Sequence, residues 1–160
     1  MSILLLTTGG SIDKTYSTET SSFVVGESQI PRLLQEANAS VDFELESILR
    51  KDSLEITETD RQLIVEMVAA APQRHVIITH GTDTMIDTAK ALGQVQGKVI
   101  VLTGAMRPAA FRETDAVFNI GGAFVAAQLL PEGVYLVMGG KVFHPERARK
   151  NRDLDRFEEA

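Results

Sequence analysis

Four short runs of almost wholly aliphatic residues constrain the fold of this chain more than any other feature of its sequence. They occupy residues 3–7, 76–79, 99–103 and 134–138. Runs of this length without polar alternation are typical of β-strands buried on both faces of a parallel sheet. A fifth run, residues 41–47, alternates between apolar and polar side chains, which indicates a strand near the sheet edge. The chain therefore predicts a sheet of five strands that is covered on both sides.

Helical patterns separate these runs. Apolar residues recur at helical spacing in residues 30–39, 57–71, 83–94 and 114–130. Strands that alternate with helices predict a three-layer α/β/α fold with a mainly parallel sheet, of the flavodoxin or Rossmann type. The length of 160 residues suits a single domain of this kind. The fourth helix is apolar nearly all round, so we expect it to pack against both the sheet and a partner subunit.

Composition narrows the class of function. The net charge of -6 argues against a nucleic acid or an anionic membrane as a partner. The absence of cysteine excludes disulfides and thiolate chemistry, and the three histidines lack ligand-spaced partners, so no metal site is predicted. The first residues have no cationic start, and no apolar stretch is long enough to span a bilayer. These features predict a cytoplasmic protein.

Small polar residues follow two of the predicted strands where each strand ends. Thr7-Thr8-Gly9-Gly10-Ser11 follows the first strand, and His80-Gly81-Thr82-Asp83-Thr84-Met85 follows the run at residues 76–79. The carboxyl ends of parallel strands meet at one sheet edge, where open α/β folds bind ligands. Unpaired backbone N–H groups at the start of the following helix can hold negative charge there. The two turns together predict one site at this edge.

Each turn also has a purely structural interpretation. Glycines commonly end strands, and Thr and Asp are favoured helix N-caps. Thr84 with Asp87 fits a capping box. Thr57 with Asp60 fits another. The first turn contains neither GxGxxG nor GxxxxGK[ST], which disfavours a nucleotide site. A third interpretation makes Thr8 a nucleophile beside glycines that leave room for a substrate, and on the turn alone the structural interpretation is favoured.

A basic segment near the C-terminus supplies a candidate amine. Residues 147–152 contain three arginines and Lys150, and acidic residues follow at once. That balance favours a solvated, self-compensating segment over a nucleic-acid contact. Because Lys150 comes after the strand at residues 134–138, it could reach the same sheet edge. Threonine hydroxyls, a carboxylate and an amine suit acyl transfer, in which a hydroxyl attacks a carbonyl and backbone N–H groups hold the oxyanion.

Four segments, taken in order, resemble the signatures of one family, the bacterial-type L-asparaginases (the asparaginase/glutaminase family). Residues 8–12 are similar to the first signature, and residues 80–85 match the second without change. Residues 52–57 are similar to a substrate-binding loop, and residues 103–108 to the segment after the next strand. The resemblance implies an amidohydrolase that converts L-asparagine to L-aspartate and ammonia and needs no metal or organic cofactor.

The resemblance also implies a role for each matching residue. Thr8 would attack the side-chain amide carbon and carry the acyl-enzyme intermediate. Thr82, Asp83 and Lys150 would form a second cluster that activates the hydroxyl or the water. Ser53 would bind the α-carboxylate of the substrate, and Asp83 its α-amino group. The other positions implied beside the substrate are Gly10, Ser11, Gly81 and Ala105.

Three departures from the family pattern stand out. Ser11 replaces the usual threonine and keeps the hydroxyl. Phe23 stands where the family's mobile loop supplies a tyrosine, which makes Tyr16 of the same loop the candidate to assist Thr8. The resemblance covers residues 1–160 as the family's N-terminal domain, so we expect the smaller C-terminal domain to be absent, as in a short member or an excised domain. Weaker substrate binding with an unchanged reaction type should follow.

The sequence thus predicts a short cytoplasmic L-asparaginase that assembles as a homodimer or higher homo-oligomer. Its partner is a small molecule, L-asparagine or as a second candidate L-glutamine, and neither a nucleic acid nor a membrane. Two rival functions are a sensor that binds asparagine or aspartate without hydrolysing it, and an assembly partner of a longer paralogue. Two threonines and an amine favour the enzyme, because a pure binder does not need them at the amide carbon.

Overall fold

A central sheet joined by helices organises the chain, which a computed structural model describes over residues 1–160. In chain order the strands are β1 (Ile3–Gly9), β2 (Lys14–Ser17), β3 (Ser22–Val25), β4 (Phe43–Lys51), β5 (His75–Thr79), β6 (Val99–Thr103), β7 (Gly133–Met138), β8 (Lys141–Phe143), β9 (Ala148–Asn151) and β10 (Arg156–Glu159). Six of them form the sheet, in the spatial order β4-β1-β5-β6-β7-β8. All neighbours are parallel except β7 and β8. The predicted mainly parallel sheet is confirmed.

Four helices cover the two faces of the sheet. They are α1 (Ile30–Glu36), α2 (Glu58–Ala70), α3 (Met85–Leu92) and α4 (Ala116–Leu129). On one face, α1 and α4 pack against inward residues such as Leu5 and Val101. On the other, α2 and α3 pack against alternate residues such as Leu6 and Leu102. The three-layer α/β/α fold is therefore confirmed, and both layers of core are apolar because each strand contributes side chains to both faces.

The strand order places a topological switch point between β1 and β5. The chain leaves β1 for β4 on one side of it and then returns to β5 on the other side. Thr7 of β1 lies in register with Thr79 of β5, so the carboxyl ends of these two strands are neighbours. Open α/β sheets bind ligands outside the carboxyl ends of strands at such a point. The fold therefore brings together the two turns that the sequence marks.

One predicted capping box is confirmed and the other is wrong. Thr57 Oγ1 accepts a hydrogen bond from the Asp60 N–H, and the Asp60 carboxylate accepts one from the Thr57 N–H. Thr84 makes no capping hydrogen bond, because its hydroxyl donates to the Ser53 carbonyl at 2.7 Å. Helix α3 begins only at Met85, so the residues before it form a turn rather than a helical segment. That turn is held by long-range contacts instead of by helix capping.

Two hairpins lie outside the predicted elements. Strands β2 and β3 pair antiparallel directly after β1, and β9 and β10 pair antiparallel at the end of the chain. Their strands are only four residues long, and most of their side chains are exposed or half-buried. Such short segments bury too little apolar surface to show a strand periodicity. Both hairpins nevertheless lie beside the carboxyl edge of the sheet.

Helix α4 has a buried and an exposed apolar face. Ala116, Ile120 and Ala123 are buried against the sheet, whereas Phe118 and Leu129 are exposed. The predicted packing against the sheet is confirmed, and the predicted packing against a partner subunit stays a prediction. None of the helices has the length and apolar character needed to cross a bilayer.

Candidate functional site

Thr8 lies at the switch point with its side chain fully buried. Its hydroxyl donates a hydrogen bond of 2.8 Å to the carbonyl of Thr79, the last residue of β5. The neighbouring Thr7 is also buried, but its hydroxyl has no hydrogen-bond partner. Consecutive strand residues point to opposite faces, so only one of the two threonines faces the α2 and α3 side. The bond to Thr79 fixes the Thr8 hydroxyl between the ends of two strands.

Glycines bring three chain segments into direct contact around Thr8. A Cβ atom added to Gly10, whose φ is +85°, would lie 2.5 Å from the Cα atom of Gly81. A Cβ atom added to Gly81 would lie 2.5 Å from the Cβ atom and 2.7 Å from the hydroxyl oxygen of Ser53. No side chain fits at either glycine, because real Cβ atoms do not approach so closely. We call Thr8, Gly10, Ser53 and Gly81 the buried side of the site.

A cluster of charges adjoins the buried side along the chain. The Lys150 ammonium donates hydrogen bonds to Thr82 Oγ1 at 2.7 Å and to Asp83 Oδ1 at 2.9 Å. The Arg152 guanidinium donates to the same Asp83 oxygen. Lys150 lies on β9, and Arg152 lies in the turn that joins β9 to β10. We call Thr82, Asp83, Lys150 and Arg152 the charged side of the site.

The carboxylates near the charged side are held ionised by cations. Burial alone would raise the pKa of Asp83, but the hydrogen bonds from Lys150 and Arg152 outweigh burial and lower it below its usual value. The nearby Asp52 accepts a salt bridge of 2.9 Å from Lys14, which lowers the pKa of Asp52, while the charge of Asp83 acts in the opposite direction. Both carboxylates are therefore anionic at neutral pH.

His80 supports the turn that carries Gly81. Its Nδ1 lies 2.7 Å from the Gly81 carbonyl oxygen, so Nδ1 carries the proton and donates it. Its Nε2 then accepts a hydrogen bond of 2.8 Å from the hydroxyl of Thr88, which itself accepts one of 3.2 Å from Arg61 Nε. Burial lowers the pKa of His80 to about 4, so the ring is neutral at pH 7. His80 is a structural support with a fixed tautomer.

Ala105 is held at the same edge by contacts from α4. Asn119 Nδ2 donates to the Gly104 carbonyl at 2.9 Å, and Asn119 Oδ1 accepts from the Gly139 N–H at 2.9 Å. Asp115 accepts from the backbone N–H of Met106 at 3.0 Å. Asn119, a buried polar residue on a mostly apolar helix, therefore ties the ends of β6 and β7 together. Ala105 itself is buried.

A carboxyl group without a salt bridge lies in the turn that follows Gly10. Ser11 and Asp13 belong to a short 3-10 turn after β1, where Ser11 is half-buried and Asp13 is buried. Asp13 Oδ1 accepts a hydrogen bond of 2.8 Å from the Gln29 N–H. Burial raises the pKa of Asp13 to about 6, against the effects of that hydrogen bond and of the charge of Arg50.

Tyr16 lies on the β2–β3 hairpin with its side chain largely exposed. It pairs in register with Phe23, and the two rings meet edge to face with their centroids 5.7 Å apart. The hairpin reaches the site through Val25, whose side chain would lie 2.9 Å from a Cβ atom on Gly9. The participation of Tyr16 in the chemistry stays a prediction.

The structure thus joins most of the predicted residues through direct contacts. Thr82, Asp83 and Lys150 touch one another, and Gly10, Gly81 and Ser53 pack together. The sequence reasoning missed Arg152, which it left within a solvated basic segment. No local signal indicates its role, because Arg152 lies in the turn of a hairpin that is too short and too polar to show a strand pattern. Groups of three histidine, aspartate or glutamate side chains suited to a metal ion are absent.

Comparison with known proteins gives three kinds of similarity. A family model described as "Asparaginase, N-terminal" matches residues 2–159. The glutaminase-asparaginase of Acinetobacter glutaminasificans is 30% identical over 156 residues, which cover 88% of this chain and 47% of that protein. One of the subunits of the glutamyl-tRNA(Gln) amidotransferase of Methanococcus vannielii is 46% identical over 69 residues, covering 42% of this chain and 16% of that protein.

The structural similarity extends over the whole chain. The thermostable L-asparaginase from Thermococcus kodakarensis superposes with a TM-score of 0.86 at 29% identity. The match covers 99% of this chain and 51% of that one. The chain therefore spans about half the length of these asparaginases.

Proposed function

The chain belongs to the asparaginase family, and we propose on this basis that it is an amidohydrolase that converts L-asparagine to L-aspartate and ammonia through a Thr8 acyl-enzyme. The observation that carries the proposal is that Thr8 and the Thr82–Asp83–Lys150 cluster come at or after the carboxyl ends of two neighbouring strands, β1 and β5, at the switch point of the sheet. The buried side offers a hydroxyl in an uncharged environment. The charged side offers the Asp83 carboxylate and the Lys150 ammonium group, which pair with each other at the turn after Gly81.

The proposed reaction has two steps that balance. The Thr8 oxygen attacks the side-chain amide carbon, an ester forms, the C–N bond breaks, and the leaving nitrogen takes up the hydroxyl proton as ammonia. Water then attacks the ester, releases aspartate and restores the hydroxyl of Thr8. Lys150 donates its hydrogen bond to Thr82 Oγ1, which leaves the Thr82 hydroxyl proton free to be donated to the reacting groups. Lys150, paired with Asp83, acts in this proposal as a stabiliser of negative charge rather than as a base.

The proposed substrate contacts are likewise divided between the buried side and the charged side of the site. Ser53 takes the α-carboxylate and Asp83 the α-ammonium group. Gly10, Ser11, Gly81 and Ala105 are proposed to lie beside the amide end. The contact between the backbones of Gly10 and Gly81 excludes a side chain at either position. Tyr16 is proposed to assist Thr8 from the hairpin. No cofactor takes part in this scheme.

The test of the proposal compares two neighbouring threonines. We expect Thr8→Val to lower ammonia release from L-asparagine by at least about a thousandfold, because it removes the nucleophile and keeps the shape of the side chain. Thr7→Val is the matched control, since Thr7 is equally buried and its hydroxyl has no partner. We expect Thr7→Val to keep its activity. Full activity in Thr8→Val would contradict the acyl-enzyme, and binding of asparagine without any ammonia release would favour the sensor.

A second candidate is an amidase that works as one component of a larger complex. The similarity to part of a glutamyl-tRNA(Gln) amidotransferase favours it. Ammonia release with a higher kcat/KM from L-glutamine than from L-asparagine would support this candidate. Binding of neither amino acid would favour a role in assembly with a longer paralogue.

The proposal includes self-association in the cytoplasm. A groove of about 590 Å³ beside α4 is lined mainly by apolar residues, among them Phe118, Val125 and Leu129, and these three side chains are exposed. Contiguous exposed apolar surface of this kind marks interaction sites. We propose a second copy of the chain as its occupant. A strictly monomeric species in light scattering at micromolar concentration would contradict this part of the proposal.

A further inference from the structure

One oxygen of Asp83 receives two cations. Lys150 Nζ lies 2.9 Å from Asp83 Oδ1, and Arg152 Nη1 contacts the same atom. Lys150 is mostly buried, whereas the side chain of Arg152 is 64% exposed. Asp83 is proposed to hold the α-ammonium group of asparagine. Its single negative charge is therefore already paired with two positive charges before any substrate binds.

The surroundings of Asp83 carry an excess of positive charge. Asp52 is close enough for its pKa to respond to the charge of Asp83, and it is paired with Lys14 at 2.9 Å. Asp83 thus contacts two cations, Lys150 and Arg152, while Asp52 is matched by Lys14, although the whole chain has a net charge of -6. Such a site attracts an anionic group and repels a further ammonium group.

We propose that Arg152 is a specificity-determining residue that weakens the selection for an α-ammonium group. The site then accepts short linear amides that carry a carboxylate and no ammonium group, of which succinamate is the simplest. This inference rests on the proposed amidohydrolase function and adds a substrate class to it. Succinamate and water would give succinate and ammonia through the same Thr8 ester, with cleavage of the same C–N bond.

The hairpin supplies a matched control for Arg152. Arg149 lies on β9 and pairs with Glu158 at 3.0 Å, and its side chain is 63% exposed. Replacement of either arginine by glutamine removes one exposed positive charge from the same hairpin. Only Arg152→Gln removes a cation from Asp83. The Lys150–Asp83 pair remains in both variants, so the charged side keeps its link to the hairpin.

The experiment measures kcat/KM for L-asparagine and for succinamate by ammonia release, in the wild type, Arg152→Gln and Arg149→Gln. We expect the wild type to hydrolyse both compounds. The ratio of asparagine to succinamate should rise about fivefold in Arg152→Gln, because an exposed charge interaction is worth up to roughly 1 kcal/mol. It should stay unchanged in Arg149→Gln.

The outcomes separate this inference from the proposed function. An unchanged ratio in Arg152→Gln, with both amides hydrolysed, overturns the inference and leaves the proposed function intact. If the wild type hydrolyses neither amide, the proposed function fails. Arg152 is then tested by calorimetry: the dissociation constant for succinamate divided by that for asparagine should rise in Arg152→Gln and stay unchanged in Arg149→Gln. Binding of neither compound would overturn the inference as well.

Discussion

The buried side and the charged side of the site are consecutive in the chain, at Gly81 and Thr82, yet they are built by opposite means. The buried side consists of small residues in close contact, with no charged group among them. The charged side gathers Lys150 and Arg152 around Asp83 from a hairpin almost seventy residues away in sequence. Packing therefore fixes the positions of the backbone around Thr8, while long-range ion pairs set the electrostatics of the next turn.

The pKa values of two carboxyl groups, Asp13 and Asp83, shift in opposite directions. Asp13, in the turn after Gly10, has no salt-bridge partner, and burial raises its pKa to about 6. Asp83 is also partly buried, but hydrogen bonds from Lys150 and Arg152 lower its pKa. The pKa of the same side-chain type therefore shifts in opposite directions, and the deciding factor is a direct hydrogen bond from a cationic side chain.

The largest effect is expected where the packing is broken. Gly81→Ala would drive a Cβ atom into Ser53, and we expect it to lower the free energy of unfolding by about 2–4 kcal/mol and to abolish activity. Gly121→Ala is the control, because a Cβ atom there has nothing within 4 Å and alanine is favoured inside a helix by about 1 kcal/mol. Urea denaturation of both variants measures the contrast. Equal stabilities would contradict the close packing of the buried side.

Much of the buried side could be predicted from local sequence. Thr8 lies at the end of β1, and Gly10 and Gly81 lie directly after β1 and β5, so their convergence follows from the parallel sheet alone. The fold class was predictable for the same reason, since continuous apolar runs and helical periodicity are local properties. The failed capping box at Thr84 shows the limit, because its hydroxyl is taken by Ser53, thirty-one residues away.

The charged side depends on contacts that local patterns do not encode. The reach of Lys150 to the sheet edge was proposed from chain order, but the pairing of Arg152 with Asp83 depends on the β9–β10 hairpin. That hairpin is too short and too polar to produce a strand pattern. The raised pKa of Asp13 could not be predicted from the sequence either, because burial is a property of the packed molecule.

The second expected effect is a loss of activity when Lys150 of the charged side is replaced. We expect Lys150→Met to lower kcat/KM by about a thousandfold at every pH between 6 and 9, because Lys150 pairs with Asp83 and is proposed to stabilise negative charge rather than to accept a proton. Lys90→Met, at an exposed lysine on α3, serves as the control. The measurement is a pH–rate profile of ammonia release. Loss of a basic limb, rather than a uniform decrease, would show that Lys150 acts as a base.

The smallest expected effect is a pH-dependent change in stability that distinguishes Asp13 from Asp83. Because the pKa of Asp13 is about 6 in the folded chain against 3.8 ordinarily, its contribution to stability is complete below about pH 4 and is lost as the pH rises through 6. The loss amounts to about 3 kcal/mol at most. Asp13→Asn keeps an oxygen for the Gln29 N–H and removes the ionisation, so we expect it to stabilise the protein by about 1–3 kcal/mol more at pH 8 than at pH 3.5.

Asp83→Asn should behave in the opposite way in the same urea titrations. The pKa of Asp83 is lowered in the folded chain, so its stabilising contribution is present above the ordinary pKa and is lost as the pH falls through the lowered value. The asparagine variant should therefore be less stable than the wild type at pH 8. A gain in stability at pH 8 for both variants would mean that burial, and not pairing, dominates on the charged side as well, and it would remove the basis for assigning Arg152 a role at Asp83.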